Sequence, residues 1–217
     1  MIKKRIIPFV LIIAVLIAVY SSVSVNAEDY PVAVPYTSHI TSTVGKNIEV
    51  KLKLFHEYYD ERIFVDVYDS KGKSVASATD YFDEDDADEQ IYTFTWLAKK
   101  APAGEYTLLA TMSYYYDGEW QLCPEDVSVA ITLKNVPAPK LKSAKNVKGG
   151  KITAKWSEVN KASKYQLKIG SKTYSVKKNS YTAKKLKKGK TYAVKVRACM
   201  NNRWSKWSSS KKVKVSK

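Results

Sequence analysis

The sequence predicts an all-β chain, two tandem β-sandwiches behind an N-terminal signal peptide. Two observations carry the fold and a third carries the leader. Short runs of strand-forming residues with period-two alternation recur between residues 47 and 133 and again between 151 and 215, separated by turn-forming clusters. No amphipathic helical stretch competes with them. At Val136-Pro137-Ala138-Pro139 two prolines in three residues break the pattern, and the charge changes sign at the same place.

The leader comes first in the chain. Lys3, Lys4 and Arg5 form a cationic start, and an apolar run extends from Ile6 to Tyr20. Val25-Asn26-Ala27 then presents small or β-branched side chains at −3 and −1 before Glu28, the pattern of a cleaved secretory signal over residues 1–27. The run is shorter than the ~20 residues of a usual spanning helix. An uncleaved signal anchor is the alternative. No later apolar run is long enough to span a bilayer, so a secreted or cell-surface protein with no transmembrane segment after cleavage is expected.

The first module, residues 28–136, reads as strands over 47–55, 63–68, 74–79, 91–96, 106–116 and 127–133. Asp69-Ser70-Lys71-Gly72, Pro102-Ala103-Gly104 and Asp117-Gly118 supply the turns. Ile48, Val50, Leu52 and Leu54 share one face, against Glu49, Lys51 and Lys53 on the other. Leu108, Ala110, Met112 and Tyr114 alternate likewise with Thr107, Thr111 and Ser113. Short strands at this spacing predict an antiparallel sandwich. After the linker, 137–140, the second module (141–217) reads as strands over 151–159, 165–169, 173–176, 180–183, 191–198 and 211–215.

Residues 28–136 carry 20 Asp and Glu against 9 Lys and Arg, net −11, whereas 137–217 carry Glu158 alone against 25 Lys and Arg, net +24. Two modules of opposite charge imply different partners, or each other. Two cysteines, Cys123 and Cys199, are too few for a disulfide scaffold, and fall one in each module. A bridge between modules and two unpaired thiols both remain open.

Within the second module the residues carry a resemblance. Trp156 on an early strand, Tyr165-Gln-Leu-Lys-Ile, Leu186 before Gly189, and Tyr192-Ala-Val-Lys-Val-Arg-Ala resemble a fibronectin type III domain over about residues 141–215. The resemblance implies that Trp156 and Tyr192 are core and that Leu186 packs under the loop before the Tyr192 strand. No Arg-Gly-Asp tripeptide is present, so adhesion by that route is not implied. The first module is similar to the immunoglobulin-like domains of bacterial secreted and surface proteins but lacks the inter-sheet cysteine pair of antibody domains, and this similarity implies the fold only.

Catalysis finds no support. His39 and His56 lack metal-ligand spacing, and there is neither a zinc-type cysteine pairing nor a nucleophile elbow. No catalytic residue, cofactor site or firm metal site is expected, and the chain reads as non-enzymatic. Asp83, Asp85 and Asp88 in the run Asp80 to Glu89 are weak calcium candidates, because the run lacks the glycine of a sharp calcium loop. A solvated loop is the alternative.

Three sets of binding candidates remain. Tyr115 and Trp120 flank the Asp117-Gly118 turn, where rings near a loop tip can stack on a sugar or serve as packing. Lysine pairs throughout the second module attract polyanions; secretion argues against a specific nucleic acid. Arg203-Trp-Ser-Lys-Trp-Ser-Ser209 resembles the W-S-x-W-S signature of cytokine-receptor fibronectin modules. That resemblance implies Trp204 and Trp207 lying on a sheet face between the outward cations Lys195 and Arg197, as framework, with an exposed aromatic platform as the other reading. The expected function is a binding, adhesion or spacer protein whose basic module attracts anionic cell-surface polymer. Glycan or protein recognition by the first module, or a scaffold of charge-paired modules, are the alternatives.

Overall fold

The computed structural model describes residues 31–55, 60–83 and 89–216. Residues 1–27, the expected signal peptide, and His56, Asp85 and Asp88 lie outside these residues. The chain is all-β, with one 3-10 turn at Ala98–Lys100 among the described residues. In chain order the strands are β1 (Val32–Pro35), β2 (His39–Thr43), β3 (Ile48–Phe55), β4 (Glu61–Asp69), β5 (Ser74–Phe82), β6 (Glu89–Trp96), β7 (Gly104–Tyr116), β8 (Glu119–Leu122) and β9 (Val127–Lys134). They continue as β10 (Leu141–Val147), β11 (Lys151–Trp156), β12 (Lys164–Ile169), β13 (Lys172–Val176), β14 (Ser180–Ala183), β15 (Thr191–Met200), β16 (Arg203–Trp204) and β17 (Lys211–Lys214). By internal contacts the residues group into two compact units, the second comprising Thr41–Ile48, Leu97–Gly104 and Thr132–Lys217.

The first nine strands form a three-stranded sheet, β1-β3-β6, and a six-stranded sheet, β2-β9-β7-β4-β5 with β8 on β7. Alternation explains the pairing of their faces. Ile48, Val50, Leu52 and Leu54 are all buried, as are Ile63, Val65 and Val67 of β4 and Leu108, Ala110 and Met112 of β7. Each of these side chains larger than alanine contributes roughly 1.5–3 kcal/mol by leaving water. Ala130 N–H bonds to the Ser38 carbonyl and Val44 N–H to that of Lys134, so β2 and β9 run in the same direction. Asp117 (φ 51°) and Gly118 (φ 82°) both take the left-handed conformation that a two-residue hairpin requires between β7 and β8.

Two side chains depart from simple alternation, and a third follows it with a carboxylate. Tyr116, which the alternation running from Leu108 to Tyr114 places next on the core face, is 54% exposed because β7 runs on beyond the core into the β8 hairpin. Ser113 lies on the outer face as expected yet is fully buried, since Arg62 lies over it and its Nε donates to Ser113 Oγ at 2.8 Å. Glu61 continues the inward series of β4 and is buried at the strand's start. Cys123 and Cys199 are free thiols, each buried. Burial, reinforced by Glu61, pushes the Cys123 thiol up to about 12.

The last eight strands form the sheets β10-β11-β14 and β13-β12-β15-β16, with β17 also on β15. Trp156 is 1% exposed and its ring lies 5.7 Å from that of Tyr165. The strand expected to reach Val159 stops at Trp156, and Val159 N–H turns inward to the Tyr165 hydroxyl at 3.0 Å. Leu186 is buried. Tyr192 is half-buried, with its hydroxyl accepting the Lys187 N–H at 3.0 Å, which ties the start of β15 to the loop before it.

Candidate functional site

The outer face of the β12–β15 sheet is built by period-two alternation. Val194, Val196 and Ala198 of β15 fill the core, leaving Lys195, Arg197 and Cys199 on the other side. Arg197 donates from Nε and Nη2 to Gln166 Oε1 at 2.9 and 2.6 Å, its direct neighbour on β12. The guanidinium carbon then sits 4.8 Å from the Trp204 ring and 4.6 Å from the Trp207 ring. Lys195 Nζ closes on Trp207 at 5.2 Å and Lys164 Nζ on Trp204 at 5.7 Å. The order across the face is Lys164, Trp204, Arg197, Trp207, Lys195, cation and ring in alternation.

The serines between the tryptophans explain the spacing. β16 ends at Trp204, and regular pairing on β15 resumes only at Lys211. Between them, Ser205 and Ser208 donate their N–H groups to the carbonyls of Ala198 (2.8 Å) and Val196 (2.7 Å). Their hydroxyls accept the N–H groups of the same two residues, at 3.0 and 3.1 Å. Each serine thus supplies both halves of a ladder rung, with its side chain standing in for a carbonyl. Three residues of the edge segment advance per two residues of β15, so successive tryptophans fall on either side of one arginine. Cys199 lies in the same outward series with Lys164 and Trp204 as its register neighbours, and it is 1% exposed.

Beyond the ladder the face is cationic. Lys168 stands directly opposite Lys195, and Lys212 opposite Ala193. Like charges opposed across strands cost roughly 0.2–1 kcal/mol. The module's one carboxylate, Glu158, lies in the loop between β11 and β12.

The outer face of the six-stranded sheet holds the other candidates. The Arg62 guanidinium lies 3.9 Å from the Trp120 ring and 5.0 Å from that of Phe64, and Tyr115 meets Trp120 at 5.5 Å. Register places Tyr81, Arg62, Ser113 and Leu122 in one row across β5, β4, β7 and β8. Asp83 is exposed, and no group of metal-ligating side chains occurs among the described residues. Neither Arg62 nor Gln166 stood out in the sequence; Arg62 becomes visible only where its guanidinium lies over the Trp120 ring, and Gln166 only where register pairs it with Arg197.

No helix among the described residues is long and apolar enough to cross a membrane. No curated protein matches the chain. Among solved structures, the FN1–FN3 domains of chicken CNTN1 are 15% identical, covering 87% of this chain and 67% of that one at a TM-score of 0.37. Domains A168–A170 of titin are 12% identical, covering 86% and 68% at 0.36. Scores at that level leave the assignment to the strand order and to the family comparison. Residues 137–213 match the model of the fibronectin type III domain, and that part of the chain is a fibronectin type III domain.

Proposed function

We propose that the chain is a secreted or cell-surface, non-enzymatic binding or spacer protein. In this reading its fibronectin type III domain holds anionic surface polymer by charge. Domains of this fold serve commonly in adhesion, binding and spacing. The observation that carries the reading is the Lys168–Lys195 opposition on a face shared with Lys164, Arg197 and Lys212, in a module with a single carboxylate. Self-repulsion on such a face is relieved when a polyanion docks, and counterions released from the polymer add to the gain. The first module, residues 28–136, is an immunoglobulin-like sandwich in this account, and residues 1–27 are the leader that directs secretion.

The test is binding of the full mature chain to immobilised anionic wall polymer across a salt series, with a neutral glucan as control. Five cations engaged at a slope of about 0.7–0.9 each predict an affinity loss of roughly 10²-fold for a fourfold rise in salt. Salt-insensitive capture, or equal capture by the neutral glucan, contradicts the reading.

A further inference from the structure

We propose that the outer face of the six-stranded sheet in the first sandwich docks the basic outer face of the fibronectin module of a second copy of the chain. The first of these faces is apolar at its centre and acidic around it. Tyr81, Tyr115, Trp120 and Leu122 are 67%, 43%, 37% and 65% exposed there. The carboxylates follow from the register. Asp66 faces outward opposite Leu109, Asp60 precedes β4 with its carbonyl bonded to Tyr115 N–H, and Asp126 accepts from Thr111 Oγ1 at 2.7 Å. Arg62 is the cation among them, held against Trp120, Phe64 and Ser113, and the three carboxylates outnumber it.

The complementary surface is in the same chain. Lys164, Lys168, Lys195, Arg197 and Lys212 share one flat sheet face with no carboxylate on it. Two sheet faces of this kind pack at about 10 Å, close enough for lysine ends to reach carboxylates while their aliphatic stems cover the exposed rings. The basic face is four strand positions wide, since β16 and β17 share one edge of β15; at about 4.8 Å apart and about seven residues at 3.4 Å, that gives roughly 450 Å² per partner. A stable complex buries about 800 Å² per partner. The contact is therefore weak, dependent on charge and weakened by salt. It is also heterologous: each copy offers one acidic and one basic face, so association either closes as a symmetric pair with two such contacts or grows further.

This inference shares the basic face with the proposed polymer binding but does not need the polymer. It is tested on the full mature chain alone by sedimentation velocity over a wide concentration range at low and high salt. Wild type should gain mass above the monomer with concentration at low salt and return to monomer at high salt. Two variants then separate the faces: Asp60→Lys/Asp66→Lys removes the acidic one and Lys168→Glu/Lys195→Glu the basic one, with melting curves checked against wild type. Each variant alone should stay monomeric, and an equimolar mixture should form a one-to-one heterodimer, since one intact face of each kind remains. The acidic-face variant should still bind anionic polymer, so failure of self-association and failure of the polymer reading are distinguishable. A monomeric wild type at every concentration overturns the inference. So does association that survives in either variant alone, or a mixture that stays monomeric.

Discussion

Removing Arg197 tests whether the two tryptophans are framework or platform. Arg197→Ala deletes two cation–ring contacts, at 4.8 and 4.6 Å on half-buried rings, each contributing about 0.5–1 kcal/mol. It also deletes the forked pair of hydrogen bonds to Gln166, where a charged donor contributes about 1.5–3 kcal/mol. Together the loss is about 2.5–5 kcal/mol. In a module of this size, one kcal/mol moves the melting point by roughly 4–8 °C, so a drop of roughly 10–40 °C is expected. Two sandwiches need not unfold together, so a single whole-chain melt is ambiguous. Peptide-resolved hydrogen exchange answers this: protection should fall in β12 and β15 and hold in β4 and β7. Arg197→Lys keeps a point charge without the planar fork and should fall between. Trp204→Ala and Trp207→Ala should each lower the same melting point. Unchanged protection in Arg197→Ala, with polymer or glycan capture lost instead, would refute the framework reading.

The other predictions concern single groups. Ser205→Ala removes the hydroxyl that accepts the N–H of fully buried Ala198, and an orphaned buried donor costs about 1–3 kcal/mol; chemical denaturation of the module checks this. Ser208→Ala, at a half-buried rung bonding Val196 N–H, should cost less. Cys123 rises from 9.0 to about 12 on folding, so the unfolded thiol ionises first as pH rises. The stability it contributes is present below pH 9 and is lost towards pH 12, at about 1.4 kcal/mol per unit. Denaturation midpoints at alkaline pH should therefore fall more steeply for wild type than for Cys123→Ala; parallel slopes would contradict the assignment.

Strand alternation was legible because it is local. Ile48 to Leu54 and Leu108 to Met112 state their buried face in period two, and the core follows that pattern. Short polar strands were not legible. Leu141–Val147 has one buried residue, and β1, β2 and β8 are four or five residues long, held by pairing rather than propensity. Trp204 and Trp207 were visible as a motif, and Arg197 as an outward cation on the neighbouring strand. The serine rungs were not, because a hydroxyl replacing a carbonyl leaves no periodic trace in the sequence. Tyr116 misled for the opposite reason: alternation continued past the point where the core ended. The Lys168–Lys195 opposition needed register, which composition cannot supply.

The central claim is that the fibronectin module's outer face takes anionic polymer through those opposed lysines. The most direct measurement compares salt dependence of polymer binding for the full chain and its Lys168→Glu/Lys195→Glu variant, at matched melting points. The account predicts weaker binding and a salt slope lowered by about 1.4–1.8 for two lost contacts. An unchanged slope and affinity would contradict it, and would move the binding to another surface of the chain.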